Sequence, residues 1–275
     1  MLDRRRLLQS AALGAGLAAV GGAAFARPEG GSADGALKGF MDKAFEETLD
    51  RSPEVVTMFG LDKGPRAAAK SRLTVPTRAE EEAQRAFVRR QAADLGRIDR
   101  SALSPRDLNY YDSIKDNLDG VIATYAIPYG QGGWPNPYRV SQQGGAYQST
   151  PDFLANQHTI ETAADADAYV ARVDAFADVL AAETDRLKED YALGVVPPDF
   201  ILAKAIRQQG GFLATPAATS PLTQSIVDRA QAKGLTGDWD AQVQRLIETR
   251  VYPALAAQNA VLKLSLIHIS EPTRR

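Results

Sequence analysis

The chain contains no cysteine, and only two of its 275 residues are histidines, His158 and His268. Without cysteine it can form neither disulfides nor thiolate metal sites, and it has no thiol nucleophile. Two histidines cannot build a histidine-rich zinc site together with a pair of histidines for acid–base catalysis. No G-x-S-x-G, phosphate-binding loop or G-x-G-x-x-G stands in a strand–turn–helix setting, so the sequence gives no support for nucleophilic or nucleotide chemistry.

An excess of either sign of charge is also missing, because the formal net charge is -2. No basic stripe with interleaved aromatic residues occurs outside the extreme N-terminus, so we expect no nucleic-acid partner. The chain is 44% apolar and 24% charged, which is typical of a globular protein. Its length allows one large core or two modest ones.

Residues 1–26 have the order of an export signal: a basic start, an Ala/Gly-rich apolar run and a small-x-small site that ends at Ala26. Arg4 and Arg5 lie in a stretch that resembles the twin-arginine export motif but departs from it at the first, fifth and last positions. The Gly-broken run is shorter than the ~20 apolar residues of a spanning helix. We therefore expect cleavage between Ala26 and Arg27, no stable membrane anchor, the twin-arginine export machinery as a partner, and a periplasmic or secreted mature protein.

From about Gly31 onward, apolar residues recur at helical spacing, and Pro/Gly loops separate the helical stretches. No βαβ pattern interrupts them. The pattern predicts an all-α fold, an irregular multi-helix array with long Pro/Gly loops. Thr162 and Asp165 fit a capping box. The predicted helix boundaries are an end near Ser52–Pro53, a helix from about Thr77 to Ile98, a start at Ser104–Pro105, a helix from Thr162 to Gly194, a helix between Pro198 and Gly210–Gly211, a start at Ser220–Pro221, and a helix from Trp239 to about Lys263 with a kink at Pro253.

One long segment, Gly130 to Gly145, breaks this helical rhythm. Long ordered loops often line binding sites, so Trp134, Tyr138, Gln142 and Tyr147 are candidate residues of a substrate cleft. The alternative interpretation is an irregular loop whose aromatic side chains fill the core.

Two short patterns approach metal-binding motifs without completing them. His158-Thr-Ile-Glu161-Thr162 resembles the inverted zinc motif H-x-x-E-H, but Thr162 stands where the second histidine belongs. Asp165 and Asp167 lack the Gly and the distal Glu of a calcium loop, so we interpret them as a helix start. We interpret His158 as a capped surface or core histidine, and we expect no catalytic, metal-binding or cofactor-binding residue in this chain.

Five further patterns follow one another along the chain. They are Arg51–Gly60 (RSPEVVTMFG), Leu103–Tyr111 (LSPRDLNYY), Val140–Gly145 (VSQQGG), Asp165–Val173 (DADAYVARV) and Gly194–Pro198 (GVVPP). From about Phe40 to Lys263 this succession resembles the N-terminal part of the bacterial family catalogued as domain of unknown function 885. The resemblance implies an exported helical protein, similar to zinc metallopeptidases, whose C-terminal half carries H-E-x-x-H and a downstream Glu.

In that chemistry the two histidines and the downstream carboxylate hold zinc, and the Glu of the motif is the general base for water. This sequence contains no H-E-x-x-H. The resemblance therefore implies zinc and a peptide substrate for a full-length parent, and it implies that this chain is the N-terminal part of a larger helical metallopeptidase-like fold.

The last residues, Leu264 to Arg275, resemble the translation of a transposase-end adapter used in sequencing libraries. Residues of such origin are excluded from fold reasoning. We therefore expect residues 27–263 to be a truncated N-terminal helical portion of the family domain, residues 264–275 to be a non-native tail, and His268 to be foreign to the protein.

These observations leave three hypotheses. The leading one is an N-terminal fragment of an exported zinc-dependent peptidase, inactive by itself. The second is a non-catalytic periplasmic helical binding or scaffold protein, and the third is a pseudo-enzyme whose missing half has lost its zinc ligands. The genomic reading frame beyond Lys263 discriminates among them.

Overall fold

The computed structural model describes residues 32–130 and 137–270. Within these residues the regular structure is helical, which confirms the predicted all-α fold. Its ten α-helices are α1 (Ala33–Arg51), α2 (Pro53–Met58), α3 (Arg78–Leu95), α4 (Pro105–Thr124), α5 (Ala146–Asn156), α6 (Ala163–Ala192), α7 (Asp199–Ala214), α8 (Pro221–Ala232), α9 (Trp239–Leu246) and α10 (Tyr252–Ser270). Three 3-10 segments accompany them at Gly64–Ser71, Arg100–Ala102 and Ala217–Thr219, and a π-helical segment lies at Ile247–Val251.

Side-chain caps fix several of the helix starts that the sequence predicts. Thr162 and Asp165 form the expected capping box, in which each side chain accepts a hydrogen bond from the other residue's backbone N–H. Ser104 caps α4 by accepting from the backbone N–H of Asp107. Gly194 follows the end of α6 with φ 79°, a conformation that glycine adopts without steric cost.

Two predicted boundaries are wrong, and two short helices, α2 and α5, were missed. Helix α7 runs through Gly210 and Gly211 to Ala214 and does not end at the glycines. Helix α10 runs beyond Lys263, because Leu266 continues the apolar face and packs on the core. Helix α5 went unrecognised because its short pattern contains Pro151.

The predicted kink at Pro253 corresponds to the π-helical segment Ile247–Val251, which directly precedes α10. Proline has no backbone N–H to complete the helical ladder, and an extra residue in the preceding turn absorbs this defect. The buried residues Ile247 and Val251 keep their place on the core face across the segment.

The described chain divides into two compact units. Unit 1 comprises residues 32–50 and 84–126. Its core is small and mainly aliphatic and aromatic, and it is formed by Leu37, Phe87, Val88, Leu95, Tyr111 and Leu118.

Unit 2 comprises residues 51–83 and the described residues from 127 onward. Helix α6, 30 residues long, runs through its interior and packs against α5, α9 and α10, while α10 also packs against α7. Thirteen of its 30 residues are buried, so one face of α6 lies in the core of the unit.

Candidate functional site

The candidate site lies in unit 2, where the chain leaves the predicted loop and enters α5. Ser141 and Gly144 form an isolated antiparallel bridge, with the Ser141 N–H donating to the Gly144 carbonyl at 2.9 Å. Gly145 then adopts φ 126°, which is strained for any residue with a side chain. This turn presents Gln142 and Gln143 at its tip.

The structure places three of the four predicted cleft residues. Tyr147 is buried, and its hydroxyl lies 2.7 Å from both the Ser141 carbonyl and Gln208 Oε1. Burial raises the pKa of Tyr147 to about 12, so the phenol stays neutral. Gln142 and Tyr138 are half-buried, and Trp134 lies outside the described residues. A role in a substrate cleft stays a prediction for all four.

A buried carboxylate, Glu183 of α6, supports the start of α5. Both of its carboxylate oxygens accept from the backbone N–H of Ala146, at 3.0 and 3.1 Å. Gln258 Nε2 donates to Glu183 Oε2 at 3.0 Å. Burial raises the pKa of Glu183 to about 7, against the opposing effect of these donors and of the Arg139 charge.

The amides behind Glu183 form a chain of hydrogen bonds with a single direction. Asn259 Nδ2 donates to Gln209 Oε1 at 3.2 Å, and Gln209 Nε2 donates to Gln258 Oε1 at 2.8 Å. Each amide thus turns its donor toward Glu183, the acceptor at the end of the chain. These buried polar groups are matched with one another, as a low-dielectric interior requires.

A second buried network holds the two ends of the predicted loop. Arg139 Nε and the Gly130 N–H both donate to Asp190 Oδ2, at 2.9 and 3.1 Å. Arg139 also binds Glu81, as does Arg186 at 2.7 Å. Although burial opposes it, the hydrogen bonds from Arg186 and Arg139 hold the pKa of Glu81 below its usual value.

The third buried network centres on Arg172, whose side chain is 0% exposed. Arg172 Nη1 donates to His158 Nδ1 at 2.9 Å, and Arg172 Nη2 donates to the Thr57 hydroxyl at 2.7 Å. Its remaining donors reach the carbonyls of Arg72 and Ala69, at 3.0 and 3.1 Å. Two of the patterns that suggest a family, Arg51–Gly60 and Asp165–Val173, therefore meet at this guanidinium.

His158 is neutral and fully committed to this network. Because arginine only donates, His158 Nδ1 is the acceptor, and Nε2 carries the proton that it donates to the Asp165 carbonyl at 2.9 Å. Burial, followed by the charges of Arg172, Lys70 and Arg229, lowers the pKa of His158 to about 3, despite the opposing hydrogen bond to Asp165.

The residues around His158 do not fit a zinc ion. Both ring nitrogens are engaged, and the charges that lower the pKa of His158 are all cations, whereas zinc needs a free imidazole nitrogen and further anionic or neutral ligands. Across residues 32–130 and 137–270 no group of three His, Cys, Asp or Glu side chains is arranged to hold a metal ion.

Sequence reasoning missed Arg172, Glu183 and Asp190, although a signal for them exists. All three lie on the apolar stripe of α6, at spacings of three or four residues from Tyr169, Phe176, Leu180 or Leu187. A charged residue that interrupts such a stripe must be paired in the interior, because an unpaired buried charge is very costly. The stripe therefore marks the buried networks, but it does not identify their partners.

Unit 1 contains a small cleft of about 110 Å³. Its lining is mostly apolar, with one ion pair between Lys115 and Asp119. Ligand sites usually enclose roughly 300 Å³ or more, so this cleft is too small for a substrate of ordinary size.

The predicted export residues Arg4, Arg5, Ala26 and Arg27 lie outside the described part of the chain. Among the helices that the structure describes, none has both the length and the apolar character required to cross a bilayer.

Comparisons with known proteins concern the fold and the family. The family model for bacterial proteins of unknown function (DUF885) matches residues 53–273. The crystal structure of a candidate lipoprotein from Colwellia psychrerythraea is similar to this chain, with a TM-score of 0.76 and 19% sequence identity. The likeness covers 86% of this chain and 42% of that one, so the chain spans less than half the length of that structure. No curated protein matches the sequence.

Proposed function

Because the chain belongs to the family of bacterial proteins of unknown function (DUF885), we propose that it is the N-terminal helical part of an exported peptidase. In this proposal unit 2 forms one wall of the cleft that holds a peptide. The observation that supports it most is the fold likeness, which covers 86% of this chain but 42% of the longer structure. More than half of that protein lies beyond the likeness, which is ample length for a second cleft wall and for catalytic groups.

The contribution of this chain is structural support and not chemistry. Glu183 and Asp190 accept from main-chain N–H groups at the two ends of the predicted loop, and Arg172 donates to the main-chain carbonyls of Ala69 and Arg72. Rigid support of this kind keeps a binding surface in its productive shape before the ligand arrives. Zinc, if the parent carries it, would bind to residues that lie outside this chain.

Export is part of the same proposal. The signal-like residues 1–26 support it, and the similar structure from Colwellia psychrerythraea is that of a candidate lipoprotein. A mature protein that begins at Arg27 in the periplasmic fraction is the expected product. Retention of residues 1–26 there would contradict cleavage after Ala26, and unchanged export after replacing Arg4 and Arg5 by Lys would contradict twin-arginine export.

A non-catalytic periplasmic binding or scaffold protein is the second candidate. The state of His158, whose two ring nitrogens are both engaged in hydrogen bonds that support the fold, fits it equally well, because the leading candidate also assigns no chemistry to this chain. A side chain committed in this way is poorly suited to move protons in a reaction.

The genomic reading frame beyond Lys263 tests the two candidates, and it also tests the adapter origin of Leu264 to Arg275. We expect it to encode H-E-x-x-H and a downstream Glu, and we expect the encoded protein to hold one zinc per chain and to hydrolyse peptides in a chelator-sensitive manner. The 275-residue chain should do neither. A stop codon soon after Lys263 would favour the binding protein, and a degenerate motif would favour the pseudo-enzyme.

A further inference from the structure

Helix α5 begins without a side-chain cap of its own. Its N-cap residue is Gly145, which has no side chain to accept from the first backbone N–H groups of the helix. Glu183 of α6 supplies the acceptor instead, because both of its carboxylate oxygens accept from the Ala146 N–H, at 3.0 and 3.1 Å. The N-terminal end of a helix favours a negative charge at this position. Glu183 is therefore an N-cap that comes from another helix, 37 residues along the chain.

The carboxylate of Glu183 lies in the interior without an ion pair among the described residues. Glu183 is 6% exposed. Arg139, whose charge acts on it from the segment before the turn, is itself bound to Glu81 and Asp190. A buried carboxylate without a partner favours its neutral form, and burial raises the pKa of Glu183 to about 7. The group therefore changes its charge close to neutral pH.

The other groups that face Glu183 are uncharged. Tyr147 of α5 lies in the field of the Glu183 charge, but burial raises the pKa of Tyr147 to about 12 and the phenol stays neutral. Helix α10 presents the amide of Gln258, whose Nε2 donates to Glu183 Oε2 at 3.0 Å. Helix α7 presents the amide of Gln209 behind that of Gln258. Within the residues described, these three helices thus offer Glu183 hydrogen bonds and no compensating charge.

Three buried amides behind Glu183 are arranged for its charged form, and we call them the amide chain. Gln258 Nε2 donates to Glu183, Gln209 Nε2 donates to Gln258 Oε1 at 2.8 Å, and Asn259 Nδ2 donates to Gln209 Oε1 at 3.2 Å. A carboxylate only accepts hydrogen bonds, whereas a carboxylic acid must also donate one. Because the described groups at both Glu183 oxygens are donors, the acid finds an acceptor only if Gln258 turns its carbonyl oxygen toward it.

A rotation of the Gln258 amide forces the whole amide chain to rotate. Half a turn places Gln258 Nε2 opposite Gln209 Nε2, so Gln209 must rotate as well, and Asn259 after it. At the far end Asn259 Nδ2 also donates to the Ile206 carbonyl at 3.2 Å, a bond that the reversed chain loses. The three amides are at most 3% exposed, so bulk water does not replace the lost partner. The charge of Glu183 is therefore coupled to a contact between α10 and α7.

We propose that Glu183 is a proton-controlled cap: when its carboxylate takes up one proton from water, its hold on the Ala146 N–H weakens and the amide chain reverses its direction. The start of α5, and with it the turn at Ser141–Gly145, is held firmly above neutral pH and less firmly below it. A hydrogen bond to a charged acceptor is stronger than one to a neutral acceptor, and the protonated cap no longer offers the helix end a negative charge. The buried charge is costly for unit 2 as a whole, but it fixes the start of α5. The proposal does not depend on a peptidase activity.

Hydrogen exchange of the 275-residue chain tests the cap. The protection factor of the Ala146 N–H, which corrects for the intrinsic effect of pH on exchange, should be about 5- to 12-fold lower at pH 6 than at pH 8. This is the difference between a hydrogen bond to a charged group and one to a neutral group. The Asp165 N–H at the start of α6 is the internal control, because it donates to the Thr162 hydroxyl, which does not titrate. Its protection should stay the same over this interval.

Glu183→Gln removes the charge and keeps the shape of the side chain. The new carbonyl oxygen still accepts from Ala146, but it is neutral. We expect the Ala146 protection factor of this variant at pH 8 to be as low as that of the unaltered chain at pH 6, and to be independent of pH. Equal protection in the variant and in the unaltered chain at pH 8 would overturn the proposal. So would equal protection at pH 6 and pH 8 in the unaltered chain, a measurement that needs no variant.

Nuclear magnetic resonance detects the reversal of the amide chain. Its three side-chain amide resonances should move with the same midpoint as the carboxyl carbon of Glu183. The Gln224 amide of α8 donates to the Ala218 carbonyl and lies outside the amide chain, so its resonance should not move. Amide-chain resonances that stay constant while the Glu183 carboxyl titrates would show that no reversal occurs.

A substitution at the far end of the amide chain tests the coupling. Asn259→Leu removes the donor to the Ile206 carbonyl, which fixes the direction of the chain, so the acid form of Glu183 becomes easier to reach. The midpoint of the Glu183 titration should rise by about 0.4 to 1 pH unit, the value of one hydrogen bond. Gln224→Leu is the matched control and should leave the midpoint unchanged. A midpoint that is unchanged or lowered in Asn259→Leu would contradict the coupling and overturn the proposal.

Discussion

In unit 1 each charged pair that the structure describes has at least one partner in solvent, whereas unit 2 places both partners of several charged contacts in the interior. In unit 1 the two side chains of the Arg100–Asp112 pair are 54% and 45% exposed. In unit 2 the Arg139–Asp190 pair is 5% and 4% exposed, and Arg172 lies fully inside. Both units have apolar cores, so the difference concerns charge and not hydrophobic packing.

Charged pairs therefore contribute differently to the stability of the two units. Exposed pairs gain little, because water and salt screen them and long side chains lose freedom. A buried pair gains little net stability compared with an apolar replacement of the same shape, but removing one partner leaves the other without compensation. We infer that unit 1 is held by its six-residue apolar core, and that the buried networks of unit 2 mainly fix which segments meet.

The largest expected effect is that of Arg172→Leu. The change leaves His158 Nδ1, the Thr57 hydroxyl and two main-chain carbonyls without their donor, and each buried acceptor left unsatisfied costs about 1 to 3 kcal/mol, so the free energy of unfolding of unit 2 should fall by at least about 3 kcal/mol. Hydrogen exchange of α6 and α8, read beside that of α4 in unit 1, measures the loss in each unit. Arg172→Lys keeps the charge but not the five-donor fork and should rescue little. A loss below about 1 kcal/mol would mean that the network is dispensable.

The second-largest effect concerns how the stability of unit 2 depends on pH. Two of its buried groups change this stability in opposite directions as the pH varies. The pKa of His158 is lowered from 6.5 to about 3, so its contribution to stability is present above pH 6.5 and is lost as the pH falls. The pKa of Glu183 is raised from 4.5 to about 7, so its contribution is present below pH 4.5 and is lost as the pH rises through 7. Between pH 7 and pH 5 the two nearly cancel in the unaltered chain.

Replacing one of the two groups leaves only the other to change the free energy of unfolding with pH. Glu183→Gln should lose about 2 kcal/mol of stability between pH 7 and pH 5, through His158. His158→Gln should gain about 2 kcal/mol over the same interval, through Glu183. Urea unfolding at pH 5, 6 and 7 measures how the free energy of unfolding depends on pH in the unaltered chain and in each of the two variants. Parallel slopes in the two variants would show that these groups do not control the pH response of unit 2.

The smallest effect is expected in unit 1. Arg100→Gln removes an ion pair whose two side chains lie in solvent, so the free energy of unfolding should change by less than the error of the measurement. The same hydrogen-exchange experiment on α4 checks it. A clear loss there would remove the contrast between the two units.

The sequence predicted the local parts of this fold well. Thr162 and Asp165 gave the start of α6, Ser104 gave the start of α4, and Gly194 gave the end of α6, because a cap depends on residues within one helical turn. The failures are also local in origin. Gly210 and Gly211 suggested that α7 ends there, and Pro151 argued against a helix where α5 forms. Both helices form because packing can override the low helix propensity of single residues.

The candidate site was less predictable. The segment from Gly130 to Gly145 and the residues Tyr138, Gln142 and Tyr147 could be selected from the sequence, but Gln208, whose side chain meets the Tyr147 hydroxyl, could not. Gln208 is 66 residues from Gln142 and has an ordinary place on an exposed helix face. No local sequence pattern predicts that such a residue will contact a turn elsewhere in the chain.

By itself the sequence determined the helical class, most helix boundaries and the face of α6 that turns inward, because all three follow from periodicity and from caps only a few residues long. The tertiary structure decided which polar residues lie in the interior and which partners they have. Arg172 meets groups on Thr57 and Ala69, which lie 115 and 103 residues away. The free energy of such a pair depends on burial and on the distance between the partners, and only the packed helices of unit 2 set both.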